Sequence, residues 1–252
     1  MAIHNFVIPS RRGFAGIEYL IDRWVLKSVT HLATVSETCR RTFIFRKGTA
    51  NCNALVIPNG IRKSNSSPSQ TISANRKTIL MLASYEDRKG HEFLFNCFAR
   101  VLKSVPEARL ICAGDDPLNK IPHLQHKARE LNIDKAITLL PYQSNTRDLL
   151  QQCDIVAIPS QSMESFCLVA GESLSHGKPI VGTNIGAIPE TAPSGHGSFL
   201  FAPDDIEGFG SALIALLLDT DLWLSTSSLA SLQFERLLTP EETARKYLEH
   251  LI

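Results

Sequence analysis

Two carboxylates, Glu164 and Glu172, stand eight positions apart in Glu164-Ser-Phe-Cys-Leu-Val-Ala-Gly-Glu172, shortly after the apolar run Asp154–Ile158. Eight helical residues extend about 12 Å, too far for the two to serve one atom as an acid–base pair. They suit the two ends of an elongated ligand, with free first-turn amides around Phe166, Cys167 and Leu168 facing an anion between them. A nucleotide diphosphate-sugar has that shape. Spacing alone favours an acidic residue complementing a helix N-terminus beside an unrelated surface Glu. A second cluster, Ser84-Tyr-Glu-Asp-Arg-Lys-Gly90, again follows an apolar run and precedes a helical pattern. Arg88 and Lys89 suit phosphate neutralisation there, and Gly90 suits close backbone approach. A solvated charged turn has the same composition.

The elements that must position these residues are legible from periodicity. Apolar runs at Thr78–Ala83, Ala108–Ala113, Ala136–Leu140, Asp154–Ile158 and Pro179–Gly182 read as strands, with Ser198–Phe201 as a last one. Helical patterns lie between them near Glu92–Ser104, Pro122–Leu131, Thr146–Gln152 and Phe166–Ser175, and three more run over Asp205–Leu218, Leu222–Phe234 and Pro240–Ile252. Nearly uninterrupted apolar strands alternating with helices predict an α/β fold whose parallel sheet is covered on both faces. In such a sheet ligands lie beyond the carboxyl ends of the strands. The clusters above occupy those ends, together with Gly114-Asp115-Asp116, Pro141-Tyr142-Gln143 and Thr183–Glu190. Earlier in the chain, Ile17–Ser28 has helical spacing and His31–Val35 is extended. Ser36 is placed to cap a helix toward Arg46, and Ala54–Ile57 ends in the turn Pro58-Asn59-Gly60. The polar, Ser-rich stretch Lys63–Asn75 reads as a linker or exposed loop.

Composition narrows the function classes. With 252 residues, 44% hydrophobic and 20% charged, the chain has enough apolar surface to fold and is not a disordered segment. A net charge of +1 leaves no global basic footprint for nucleic acid. The longest apolar run, Ala212–Leu218, is far short of the ~18 residues a membrane span needs. No signal-peptide pattern opens the chain. Six scattered cysteines without a C-x-x-C pair suit a reducing compartment, so a cytoplasmic location is expected, with at most peripheral membrane contact through Arg40-Arg41 and Arg46-Lys47. The absence of G-x-G-x-x-G sets aside a dinucleotide oxidoreductase. Gly171–Lys178 fails the P-loop on its glycine spacing and on Pro179, and His123 with His126 has no third ligand in place, so no metal site is expected.

Several motifs occur in a telling order: Val35-Ser-Glu37, Ile57-Pro-Asn-Gly-Ile61, Lys89-Gly90, Ala113-Gly-Asp-Asp-Pro117, Glu164-x(7)-Glu172, Gly177-Lys-Pro179 and Gly186-Ala-Ile-Pro-Glu190. The set resembles family 4 of the retaining glycosyltransferases, which have the two-domain GT-B fold. The resemblance implies a partial amino-terminal, acceptor-side lobe over 1–62, a linker over 63–75 and a nucleotide-sugar-binding domain over 76–252. The last helix is expected to pack back on the first lobe. It also implies the site. Glu172 would bind the donor ribose and Glu164 would lie by the donor sugar. The segment Ser165–Leu168, with Phe166 and Cys167, would contact sugar and phosphate. Lys89 would meet the diphosphate with Arg88 and Gly90 beside it, and His4 would enter the cleft next to the sugar. Gly114 and Asp115 would border the donor, and Tyr142-Gln143 would sit where the base rests. No cofactor is implied beyond the donor substrate.

The sequence departs from the family pattern at Ser84, where an arginine is usual, at Cys167, where glycine commonly follows Phe, and at Ala187, the second residue of a usual Gly-Gly pair. The resemblance also begins partway through the amino-terminal lobe, which leaves two expectations. One is an enzyme transferring sugar from a nucleotide diphosphate-sugar to a sugar, lipid or glycan acceptor with retention. The other is a non-catalytic or half-enzyme subunit that binds the donor and needs a second chain. A sugar-nucleotide epimerase of the same fold fits the motif order less well.

Overall fold

The structure is a computed structural model that describes residues 2–3, 31–47, 54–64 and 77–251. His4, the expected helix Ile17–Ser28 and all but the first two residues of the expected linker lie outside the described residues. Among the described residues two parallel sheets form. The smaller joins β1 (Ala2–Ile3), β2 (Leu32–Thr34) and β3 (Ala54–Val56) in that order. The larger contains β4 (Thr78–Leu82), β5 (Arg109–Ala113), β6 (Ile137–Leu140), β7 (Ile155–Ile158), β8 (Ile180–Thr183) and β9 (Ser198–Phe201). Its spatial order is β6-β5-β4-β7-β8-β9.

This order explains the site before any side chain is considered. The chain winds outward from β4 through β5 to β6, then returns to the other side of β4 as β7 and winds outward again. The connections therefore diverge at the carboxyl ends of β4 and β7, which leaves a crevice between their loops. Those loops are Ala83–Gly90, which contains the Ser84–Gly90 cluster, and Pro159–Cys167, which contains the start of the Glu164–Glu172 cluster.

Alternation along β4 shows how the sheet is held. Ile79 and Met81 enter one core with Phe95, Phe98, Leu110, Phe209 and Leu213, under the helices His91–Ser104 and Ile206–Leu218. Leu80 and Leu82 enter the opposite core with Val156, Ile158, Phe166, Leu174 and Ile180. Both faces are dry, which is why the strands lack the polar–apolar alternation of a half-exposed sheet. Val35 and Ile61, which flank β2 and β3 of the smaller sheet, are buried in that second core. The last helix, Pro240–Leu251, lies beside the same junction: Thr243 Oγ1 donates to Pro58 O at 2.9 Å, and the Ile61 amide donates to Leu238 O at 2.7 Å.

Candidate functional site

Gly90 brings the two loops of the crevice together. It ends the short turn Asp87–Lys89 at φ 80°, and a Cβ there would stand 2.0 Å from Pro159 O. The Gln161 amide also donates to Arg88 O at 2.7 Å, so the loops after β4 and β7 are joined backbone to backbone. That contact delivers Lys89 to Glu164: the ammonium donates to Glu164 Oε1, which also accepts from Ser160 Oγ at 2.7 Å. The Glu164 side chain is 8% exposed and that of Lys89 18%, so the pair is nearly withdrawn from water. Arg88 is engaged differently. Its Nε donates to Glu86 Oε2 at 2.8 Å, while Ser84 Oγ donates to Glu86 Oε1 at 2.6 Å. Hydrogen bonds from Arg88 and then Ser84 hold the Glu86 carboxyl below its ordinary range.

A cavity of 540 Å³ opens over this pair, lined among others by Asn59, Ser84, Arg88, Lys89, Glu164 and Phe166. Ser165 through Val169 continue its wall, which puts the amino end of the helix Leu168–Ser175 on its border. Amides at that end have no acceptor within their helix and carry partial positive charge. The helix starts two residues later than its apolar spacing predicts, because Cys167 is left-handed, at φ 67° and ψ 71°. Burial pushes the Cys167 thiol up to about 12, so it meets the cavity as a neutral group.

A second cavity, of 770 Å³, lies along the same edge and shares Leu168 with the first. Its wall includes Gly60, Ile61, Asn145, Arg147, Glu172 and His176. Burial raises the Glu172 carboxyl above its ordinary value. Burial likewise lowers His176, which keeps its ring neutral. Glu164 and Glu172 thus line two cavities that meet at Leu168.

Of the residues marked in the sequence, Lys89, Arg88, Glu164, Ser165, Phe166, Cys167 and Leu168 converge on the first cavity and Glu172 on the second. Gly90 is the hinge-like contact behind them. Gly114 and Asp115 support the site through the backbone, where the Tyr85 amide donates to Asp115 O at 2.7 Å, and line neither cavity. Tyr142, 69% exposed, and Gln143 also stand outside both; the neighbouring residues Ser144–Asp148 take that place. Sequence reasoning missed Asn59, Ser160, Arg147 and His176, whose types are common in polar loops and which only the fold brings to the cavities. Among the described residues no group of three or more His, Cys, Asp or Glu is arranged to hold a metal ion.

Residues 76–219 match the family model described as glycosyl transferases group 1. The N-acetyl-alpha-D-glucosaminyl L-malate synthase of Bacillus anthracis is 29% identical over 151 residues, 60% of this chain and 39% of that protein. The phosphatidylinositol N-acetylglucosaminyltransferase gpi3 subunit of Schizosaccharomyces pombe is 28% identical over 85% of this chain and 48% of its own length. This chain therefore spans half or less of these curated relatives. In fold it is similar to Anabaena Alr3699/HepE, solved in complex with UDP and glucose, with a TM-score of 0.84 and 22% identity over 99% of this chain and 70% of that one.

Proposed function

The chain belongs to the group 1 glycosyl transferases, and from that premise we propose that it binds a nucleotide diphosphate-sugar across the two cavities and transfers the sugar with retention. The observation that carries this reading is the pair of cavities meeting at Leu168, one ending in Lys89 and Glu164 and the other in Glu172. An elongated donor fits that arrangement with its nucleoside at Glu172, its diphosphate at the start of the Leu168–Ser175 helix and Lys89, and its sugar beside Glu164. The crystallised HepE complex with UDP and glucose supports this class of donor for the fold.

The chemistry follows from charge. The bond from the anomeric carbon to the diphosphate oxygen breaks and a bond to the acceptor oxygen forms on the same face. The acceptor proton leaves with the diphosphate. Negative charge grows on the departing phosphates, and the helix amides meet it together with Lys89 and Arg88, which turn to it from Glu164 and Glu86. These groups supply positive charge from the protein itself, so donor binding should survive a chelator. Isothermal calorimetry with UDP-, GDP- and ADP-sugars in excess chelator tests the proposal. Glu172→Ala should weaken every nucleotide tenfold or more, and Glu164→Ala only the sugar-bearing ligands. Equal binding of all ligands by wild type and variants would show that the donor site lies elsewhere.

A second reading is a donor-binding subunit that works with another chain. It is favoured by the similarity to the gpi3 subunit, which covers more of this chain than the malate synthase match does. Donor binding without sugar transfer, and transfer on adding a partner chain, would distinguish it.

A further inference from the structure

Outside the donor cavities, one carboxylate ties the smaller sheet to the larger. Glu190 lies in the short helix Ile188–Thr191, after β8 of the larger sheet. Its Oε2 accepts the Glu37 amide at 2.8 Å, and its Oε1 accepts the Thr38 amide at 2.7 Å and Thr38 Oγ1 at 2.5 Å. Glu37 and Thr38 are the first residues of the helix Glu37–Lys47, which follows β2 of the smaller sheet. The first amides of a helix have no partner inside it, and an anion is their favoured one. Ser36 Oγ accepts the Cys39 amide at 3.0 Å in the ordinary capping manner. The two amides before it are satisfied across the interface, from a residue more than 150 positions away.

The local charges allow this contact. Glu37 is itself an acid beside Glu190, but its carboxylate is held by Arg40 and Arg41 at 2.7 and 2.8 Å. Those arginines turn the acidic charge of Glu37 away from repulsion, so Glu190 meets amides and a hydroxyl rather than a free anion. The other end of the same segment touches the donor site. Gly186, at φ 56°, leaves room for Glu164 O, which a Cβ would approach to 2.2 Å, and the Ala187 amide donates to that oxygen at 2.9 Å. Residues 186–190 therefore hold the backbone of Glu164 at one end and the helix Glu37–Lys47 at the other. Asn59, which lines the donor cavity, belongs to the smaller-sheet side of the junction.

We propose that Glu190 is a positioning residue: its carboxylate clamps the Glu37–Lys47 helix to the segment behind Glu164 and so sets the spacing of the two units around the donor cavity. Its effect on the donor rests on the function proposed above, whereas the clamp does not. The test combines amide hydrogen exchange with calorimetry on Glu190→Ala, Glu190→Gln and Thr38→Val. In Glu190→Ala, exchange should rise at least tenfold at Glu37 and Thr38 and also at Ala187. Leu110 and Cys112 in β5 should be unchanged, which reports an intact fold. Glu190→Gln, which keeps one carbonyl acceptor, should lie between. Thr38→Val should add little to Glu190→Ala, since both remove one network. Affinity for UDP-sugar should fall three- to tenfold with nucleoside monophosphate unchanged. Unaltered exchange at Glu37 and Thr38 would overturn the clamp, and raised exchange there with Ala187 unmoved would reduce Glu190 to a helix cap. If wild type binds no nucleotide, the donor reading fails by itself, and the exchange at Ala187 still decides the clamp.

Discussion

Lys89 is paired with Glu164, so a diphosphate bound as proposed must share or redirect its ammonium. Two effects of Lys89→Met follow and can be separated. Affinity for diphosphate should fall at least tenfold and affinity for monophosphate much less. Stability should fall as well, because Glu164, 8% exposed at its side chain, keeps only the Ser160 hydroxyl. The loss should be roughly 2 kcal/mol, below the ~3–5 of a fully buried broken pair, since Lys89 retains some water access. The double variant with Glu164→Gln should recover most of the stability and none of the diphosphate affinity, as urea melts and calorimetry would show. Glu172 presents the converse case. Burial holds its carboxyl above 4.5 in the fold, so the folded state binds that proton more tightly than the unfolded chain does. Its stabilising contribution is complete below 4.5 and is lost as pH rises through the higher folded value. Glu172→Gln cannot ionise and should raise Tm at neutral pH, with the gain vanishing in acid. The same variant should bind nucleotide more weakly. A Tm difference independent of pH would show that burial of this carboxyl does not act on stability.

Among the elements, the helix carrying Glu172 has an awkward start. Cys167 adopts a left-handed backbone that costs a residue with a Cβ about 1–2 kcal/mol. Cys167→Gly removes that cost and returns part of it as unfolded-chain entropy, for a net gain of about 0.5–1 kcal/mol. Chemical denaturation should detect the gain, and a loss would mean that Cys167 packing outweighs its strain. This residue also marks the limit of sequence reading. Strands and helices of the larger sheet were legible because two-faced burial writes apolar runs and amphipathic spacing, and the ends of β4–β9 differ from expectation by at most one residue. The helix start at Leu168 was not, because nothing about Cys announces a positive φ. Lys89 and Glu164 were both marked, yet their contact was hidden, since 75 residues separate them and only the β4–β7 adjacency brings them together. The short helix Ile188–Thr191, with Glu190 in it, was hidden for the same reason: its partner helix starts at Glu37.

Across the whole molecule, the two sheets are joined by a shared core as well as by polar contacts. Ile61 is 2% exposed and lies against Gly171, whose added Cβ would meet Ile61 Cγ1 at 2.6 Å. It also lines the cavity that holds Glu172. The Ile61 amide is bound to Leu238 O, and Gly60 abuts Pro240, so the start of the last helix holds this extended segment, in which the expected Asn59-Gly60 turn does not form, from behind. The junction thus serves packing and also forms part of the wall of the Glu172 cavity. Ile61→Ala should cost about 2–4 kcal/mol by leaving a cavity. At roughly 2–4 °C per kcal/mol for a chain of this size, Tm should fall by roughly 5–15 °C. A nucleotide at a hundred times its Kd stabilises the protein that binds it by about 2.7 kcal/mol. In wild type that should appear as a Tm rise of roughly 5–10 °C. In Ile61→Ala the rise should shrink, although the residue carries no charge or hydrogen bond for the ligand, because the wall beside Glu172 has moved. Scanning calorimetry of both proteins with and without UDP reads the two effects separately. A lower Tm with an undiminished UDP shift would show that the junction holds the sheets together without shaping a nucleotide site beside Glu172.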